Sequence, residues 1–587
     1  MGNNRAGLDQ IKKMDETPLS IWKRPIKSRR ARLATFVVWV LVFWGVGCLV
    51  INAEARRLTF PTAGFALIGS IVLAGGLWGF GALVRALGSR LNPFNFLIIV
   101  MGLFVLVALA YLEENVRGKL AWKKHSRLMK ARGEPLDLKA FIPAAIPAEK
   151  NFASTPLLKP IYDFIRVTNS IQWQDTNALA RLERTSSERK PIGFTNELLI
   201  GGIDRGTFAD VVICGNFYRG NTNYPQGPIT LSPGETILTA LGKFDGEFKE
   251  LRTANAARPL CRFPIEYEHE PSWEILLPHL AHIKKLTQLF QVHALAQLET
   301  SNAPEAFDDL TLGFRVADSI RDEPLLIDHL VRIAALQIAL QTVREGLFRH
   351  SWTPEQLTQI QNHLESLNLL AEYKLAMRGE RACSSGGLDY LRRNRKASAT
   401  IFMDPNREET IALKLMPNGW FYQNMLGISE MHQKYLLPCV DENLHRIYPQ
   451  IISNSVSAIR QMKPGPYNFY VMMIVPSLQG ACQRTGRTQT YVDAALVACA
   501  LEHFRLKKGA LPQTLEEMIP EFIQHIPNDV IDGKPLRYLR KAGNAYLLYS
   551  IGWNGTDEGG TLGFRTDSRT PTLDLEAGDW VWQMKEK

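Results

Sequence analysis

Hydrophobic residues near the N-terminus are gathered into three long runs that contain no charged residue. These runs cover residues 34–52, 62–84 and 95–112. A helix needs about 20 mainly apolar residues to cross the hydrocarbon core of a bilayer. The pattern therefore predicts three transmembrane helices within residues 34–112, the third of which tethers the remainder of the chain.

Apolar residues spaced three and four apart indicate amphipathic helices between residues 271 and 380. The four predicted helices cover 273–299, 304–320, a segment opening at Asp322-Glu323-Pro324, and 353–377, the last opening on a Thr353 cap. Consecutive helices with short joints predict a repeat-like layer of antiparallel pairs. Such a layer can present a binding surface, or its helices can simply bury one another.

The connecting region 113–270 looks less regular. A helical stalk is predicted after the third run, followed by four prolines between Pro135 and Pro156, which favour an extended segment. The apolar run 211–214 suggests one short strand. Residues 381–483 have mixed character. The segment 383–387 (CSSGG) is interpreted as a flexible loop after the fourth helix, and the alternative is a turn that presents Cys383 as a nucleophile, for which no partner base is evident.

Residues 484–587 predict a small α+β module. A helix over 488–508 should end at Gly509, and a capping box at 514–517 should open a short helix. Two strands, 536–540 and 545–551, should form a hairpin about Gly543. One face of the second strand is expected to meet the helix, and the other solvent or a partner.

Charge is distributed unevenly along the chain. The formal net charge is +10, but residues 1–132 hold 20 Lys and Arg against 6 Asp and Glu, so the remainder is slightly acidic. Cations flanking membrane spans explain this balance, and no nucleic-acid partner is expected. Residues 1–33 are predicted to form a basic cytoplasmic N-terminus. The numbers of Lys and Arg residues that flank the spans are nearly equal on the two sides of the membrane. Because the first span usually sets the orientation, we expect the N-terminus in the cytoplasm and the body outside it.

Six of the seven cysteines lie after the apolar runs, and none form a CxxC pair. Disulfides in an oxidising compartment and buried free thiols both fit this count.

Residues of catalytic type do not form a known motif. His279 and His282 lie three apart on a predicted helix, without an evident third ligand, and are interpreted as structural or surface residues. His432, Asp441, Glu442 and His445 form a loose cluster that could serve a hydrolase if they lined one pocket. We assign no catalytic, cofactor-binding or metal-binding residue and expect no cofactor.

The C-terminal segments PNDVIDGKPLRY, YLLYSIGWNG and DEGG resemble the globular domain of major pseudopilins of type II secretion. Pseudopilins of this type bind calcium in the loop after the hairpin, where Asn554, Asp557, Glu558 and Asp579 could offer oxygen ligands. The alternative is a solvated acidic turn, and no calcium site is assigned. Residues 114–158 and 251–269 resemble parts of large uncharacterised membrane-anchored proteins of Planctomycetes and Verrucomicrobia. That resemblance implies an architecture more than an activity.

These observations predict a mainly α, membrane-anchored protein of the bacterial inner membrane. Its expected function is that of a non-enzymatic scaffold or interaction protein of the cell envelope, associated with a secretion apparatus and bound to other envelope proteins. The alternative is an envelope hydrolase with an unrecognised site in residues 380–480.

Overall fold

The computed structural model describes residues 93–167, 170–186, 202–395, 416–565 and 572–585. These residues are mainly helical, which confirms the predicted class. The apolar runs 34–52 and 62–84 lie outside them. The chain divides into two compact units, Met1–Val116 and Arg117–Lys587.

Helix α1 (Pro93–Ala131) contains the third apolar run. In the first unit most of its described apolar side chains are exposed, with Phe104 at 70%, whereas Leu106 is half-buried. The other large apolar side chains there that are at least 40% exposed are Leu97, Val100, Met101, Leu103, Val105, Val107, Leu109, Leu112 and Val116.

Twelve further helices within the described ranges belong to the second unit, here called the body. They are α2 (Thr176–Ser186), α3 (Val211–Arg219), α4 (Pro233–Leu241), α5 (Asp245–Ala257), α6 (His279–Glu299), α7 (Ala303–Asp318), α8 (Leu326–Phe348), α9 (Pro354–Glu365), α10 (Leu369–Arg393), α11 (Asn418–Met431), α12 (Pro449–Gln461) and α13 (Phe469–Lys508).

The central helices lie near the predicted positions but differ at their ends. Helix α6 begins at His279, because Ser272–Glu274 forms a 3₁₀ turn and Pro278 immediately precedes the helix. The predicted fourth helix is two helices, since α9 ends at Glu365 and Asn368 caps α10. The capping box formed by Thr353 and Gln356 is confirmed.

The loop predicted at 383–387 is wrong, because this segment lies inside α10. Its Gly387 packs against an aromatic ring: a Cβ there would lie 2.5 Å from Trp273 Cζ3. The glycines that suggested a turn therefore permit close packing within a helix.

The strand predicted at 211–214 is also wrong. These residues open α3, where the Asp210 side chain accepts a hydrogen bond from the Ile213 N–H group. Four apolar residues do not distinguish a strand from a buried helix turn, and the aspartate cap decides between them. Tyr218 of α3 and Ile237 of α4 share one hydrophobic core with α6, so the connecting region contributes to the body.

The C-terminal segment combines α13 with a small sheet. Strands β5 (Arg537–Arg540), β6 (Tyr546–Ser550) and β9 (Trp580–Met584) form an antiparallel sheet in the order β5-β6-β9. Strands β7 (Leu562–Arg565) and β8 (Thr572–Gly578) pair separately. The other hairpins are β1 (Phe164–Val167) with β2 (Ser170–Trp173), and β3 (Val440–Asp441) with β4 (Arg446–Ile447).

Local signals in this segment correspond to the structure. Gly509 ends α13 with φ +80°, the Thr514 capping box is present, and Gly543 has φ +62° in the hairpin turn. The helix predicted from 488, however, is the second half of the 40-residue α13. Leu496 and Phe504 belong to the same core as α6–α9, so this segment shares its core with the central helices.

Strand β6 is buried on both faces. Tyr546 and Leu548 join the main core, whereas Leu547 and Tyr549 form a separate cluster with Val581 that Leu562 covers. The expectation that the second face meets solvent or a partner is therefore corrected, because β7 supplies its cover.

Among helices whose side chains are described throughout, α8 is long and apolar enough to cross a membrane, and 67% of that apolar window is buried inside the body. Its Arg332 is fully buried and binds Glu372 through two nitrogens. Helix α8 is thus a core helix, and the described residues give no support to three transmembrane helices.

Candidate functional site

Three side chains of metal-binding type meet inside the body. One ligand atom each from His279, Glu323 and Asp328 lies within 4.8 Å of the other two. His279 and Asp328 are 0% exposed and Glu323 is 6% exposed. We call these three residues the His279 cluster.

Three separate segments position the His279 cluster. His279 is the first residue of α6, Asp328 lies in the first turn of α8, and Glu323 lies in the loop from α7 to α8. The following Pro324 packs closely on α10, where a Cβ on Gly379 would lie 1.8 Å from the Pro324 carbonyl oxygen. A glycine at 379 therefore lets this loop approach the helix.

The imidazole of His279 is held on both nitrogens. Its Nδ1 lies 2.6 Å from the Tyr162 hydroxyl and its Nε2 lies 2.9 Å from Glu323 Oε2. The ring stacks on Phe263 with centroids 4.4 Å apart. These contacts fix the ring plane and direct Nε2 at the two carboxyl groups.

Other polar atoms of this region have no partner of normal geometry. They are Glu323 Oε1, both carboxyl oxygens of Asp328 and the hydroxyl of Tyr267. A buried polar atom without a partner costs about 1–3 kcal/mol, more when it is charged. The carboxyl oxygens of the His279 cluster therefore need either a shared proton or a bound ion to be satisfied.

Burial dominates the electrostatics of the cluster. Desolvation raises the pKa of Glu323 and of Asp328 well above their usual values. For Asp328, the negative charge of the neighbouring Glu323 raises the pKa further. Desolvation lowers the pKa of His279 to about 4, so its imidazole is neutral at pH 7. A neutral imidazole beside two carboxyl groups needs either protons or a cation to balance the charge.

The four residues grouped as a hydrolase candidate each have a different partner. His432 is fully buried with Nδ1 2.9 Å from the Ile428 carbonyl, whereas His445 Nε2 lies 3.1 Å from Asp493 Oδ2. Asp441 accepts hydrogen bonds from the backbone of its own turn, and Glu442 faces Lys374 at 3.6 Å.

The thiol of Cys383 is also unsuited to nucleophilic attack. Burial raises its pKa to about 12, so the reactive thiolate is scarce at neutral pH.

The loop compared with the pseudopilin calcium site is closed by its own hydrogen bonds. Asp579 accepts from the N–H groups of Gly560 at 2.6 Å and Thr561 at 3.2 Å. Asp557 binds Arg537 at 2.8 Å, and Asn554 donates to Glu558 at 2.6 Å. Asn554 Oδ1 accepts a hydrogen bond from the Thr556 N–H group, whereas Glu558 Oε2 is buried without a hydrogen-bond partner.

Sequence reasoning did not identify the His279 cluster. His279 was paired with His282, which instead lies 2.8 Å from Ser186 Oγ through its Nδ1. Glu323 was placed in a helix start and lies 44 residues from His279. The sequence does show two acidic residues close together, Glu323 before Pro324 and Asp328 in the next helix. Their approach to His279 depends on tertiary packing and could not be predicted.

Comparison of this chain with protein-family models, with curated protein sequences and with solved structures finds no match.

Proposed function

We propose that this protein is a non-enzymatic, membrane-anchored scaffold or interaction protein of the bacterial cell envelope. In this proposal the N-terminal apolar helices hold it in the inner membrane, and the body binds other envelope proteins. An association with a secretion apparatus rests on the pseudopilin resemblance of residues 484–587.

The exposed apolar surface of α1 carries the proposal. Leu97, Val100, Phe104, Val107 and Leu112 are apolar and at least 44% exposed, and the charged pair Glu113 and Glu114 follows Leu112 at once. A continuous exposed apolar surface of this length is unfavourable in water and matches the hydrocarbon core of a bilayer. Membrane insertion accounts for it directly.

The state of the candidate catalytic residues supports a binding role. His432, Asp441 and His445 each have a different hydrogen-bond partner: the Ile428 carbonyl, the N–H group of Asn443 and the Asp493 carboxyl group. Large apolar side chains do project from the body, among them Ile229 at 84% exposure and Leu444 at 64%. Residues of this kind are suited to contacts with a partner protein.

Photocrosslinking in cells tests the binding role. A photoreactive amino acid replaces Ile229 or Leu444, and buried Leu340 serves as the matched position that no partner can reach. We expect discrete cross-links to envelope proteins from at least one exposed position and none from position 340. Equal background at all three positions, in chains that fold and reach the membrane, would contradict the proposal.

The side of the membrane is tested separately. A reporter active only outside the cytoplasm, fused after Lys587, is expected to be active. Activity of a cytoplasm-only reporter at the same position would reverse the proposed orientation and leave membrane anchoring intact.

A further inference from the structure

We propose that the His279 cluster binds one divalent transition-metal ion, with zinc the best match, as a structural centre of the body. The ion is coordinated by His279 Nε2 and by one carboxylate oxygen each from Glu323 and Asp328. This centre is independent of the scaffold function proposed above, because it lies in the core and touches no exposed surface.

The donor atoms are already assembled. The selected atoms of the three residues lie within 4.8 Å of one another, and Nε2 is 2.9 Å from Glu323 Oε2. Zinc is held by imidazole and carboxylate donors at about 2.0–2.2 Å in a tetrahedral arrangement. The set supplies three donors, and a water molecule can supply the fourth.

The charges favour a divalent ion. Coordination requires Glu323 and Asp328 to bind as carboxylates, and one M²⁺ ion then balances their two negative charges within a buried site. Glu323 Oε1 and both carboxyl oxygens of Asp328 have no hydrogen-bond partner of normal geometry. A bound ion would give a partner to one or more of these oxygens. The mixture of nitrogen and oxygen donors suits zinc, cobalt or manganese better than calcium or magnesium.

Tyr162 is placed as a metal-bound histidine requires. When Nε2 binds a metal, Nδ1 carries a proton and donates it to a nearby oxygen, which fixes the ring. The Tyr162 hydroxyl oxygen lies 2.6 Å from Nδ1 and is available to accept. The structure thus provides the supporting hydrogen bond as well as the ligands.

A shared proton is the competing explanation. If one carboxyl group of Glu323 and Asp328 is protonated, it can donate to the other, and Tyr162 and His279 complete a metal-free chain of hydrogen bonds. This arrangement and the metal centre use the same residues but differ in metal content and in the response to a chelator.

Metal analysis of the full-length, detergent-purified protein tests the proposal. The protein is loaded with zinc, freed of unbound ion and assayed for metal by mass spectrometry. We expect about one zinc ion per chain in the wild type and none in His279→Gln or Asp328→Asn. Cobalt loading should give the visible absorption of a tetrahedral Co²⁺ site, and magnesium or calcium should not displace it.

His293→Gln is the matched control. His293 lies on the same helix, is buried, and pairs with Asp309 at 2.5 Å, so its replacement disturbs the core similarly. It should retain zinc. A chelator should lower the melting temperature of the wild type and of His293→Gln but leave that of Glu323→Gln unchanged.

A wild type that binds no zinc or cobalt above the level of Asp328→Asn, with a melting temperature insensitive to the chelator, would overturn the metal centre in favour of the shared proton. Loss of zinc from His293→Gln while that variant remains folded would equally show that the metal is bound elsewhere. Metal content of the wild type gives an answer even if a cluster variant fails to fold.

Discussion

Helix α8 and the first half of α1 are both long and rich in apolar residues but differ in what surrounds them. Leu336 and Leu340 of α8 are fully buried, whereas Leu103 and Phe104 of α1 are 47% and 70% exposed. Helix α8 also carries buried charges such as Arg332, while residues 95–112 carry none. Apolar composition alone therefore does not identify a membrane span, and the polar groups of α8 mark it as a core helix.

The comparison also bears on function. The charged Arg332 of α8 is paired with a protein side chain, and the apolar surface of α8 is largely buried by other parts of the body. The exposed surface of α1 is left for another environment, which we propose is lipid. The following predictions test whether each helix has the surroundings assigned to it.

The largest effect is expected at Arg332. Its guanidinium binds Glu372 at 2.7 and 3.1 Å and Asp318 at 2.8 Å. Removing one member of a buried ion network leaves uncompensated charge and costs about 3–5 kcal/mol. Arg332→Met should lower the free energy of unfolding of the body by this amount in denaturant titrations.

The double variant Arg332→Met/Glu372→Leu should recover part of that loss, because it removes a stranded carboxylate together with its partner. A single variant as stable as the wild type would show that α8 is not held by this network.

A matched pair of leucines compares the two helices directly. Leu340→Ala should destabilise the body by about 2–5 kcal/mol, because it leaves a cavity in the core. Leu103→Ala removes a side chain that is 47% exposed and should change the free energy of unfolding by less than about 0.5 kcal/mol. Equal losses in detergent-solubilised protein would contradict the distinction.

Two glycines compare the two parts of α1. A Cβ at Gly118 would lie 2.3 Å from the Gly419 carbonyl oxygen, whereas a Cβ at Gly102 would meet nothing within 4 Å. Gly118→Ala should therefore cost about 1–3 kcal/mol through overpacking against α11. Gly102→Ala should be neutral or stabilise α1 by up to about 1 kcal/mol. Limited proteolysis of the stalk and thermal melts would detect the difference.

The smallest expected effect is the change in mass of the protein when a disulfide bond forms between Cys439 and Cys482. Cys439 and Cys482 are fully buried, and their sulfur atoms lie 3.2 Å apart. If the body is extracytoplasmic, a disulfide-donating oxidoreductase can take up the two hydrogens and leave a Cys439–Cys482 bond. Intact-mass analysis with and without reductant should then show this bond, and Cys439→Ala should abolish it. Fully reduced cysteines in freshly isolated protein would favour a cytoplasmic body.

Local features of the fold could be predicted from the sequence. The Thr353 and Thr514 capping boxes and the left-handed Gly509 depend on residues a few positions apart, and each is present. The Val211 helix and the 383–387 segment were misread because a short apolar run and a glycine pair each fit two structures. The Asp210 cap decides the first case, and packing of Gly387 against Trp273 accompanies the second.

The His279 cluster could not be predicted, because its residues meet only after three segments pack. His279 is the first residue of a helix, and Glu323 precedes a proline in a loop. The two residues are 44 positions apart, which is not a spacing that marks metal ligands in a sequence. The burial of both faces of β6 could not be predicted for a similar reason. Leu562, which covers one face, belongs to the later β7–β8 hairpin and reaches β6 only through tertiary packing.

Spin-label accessibility in lipid bilayers tests the membrane assignment most directly. Single cysteines replace Phe104 of α1 or Ile327 of α8, exposed by 70% and 48%, in a chain whose native cysteines have been replaced. If α1 is inserted, the label at 104 should collide readily with oxygen and rarely with a water-soluble nickel complex, and the label at 327 should show the reverse. High nickel accessibility at position 104, equal to that at 327, would contradict the membrane anchor and the function proposed from it.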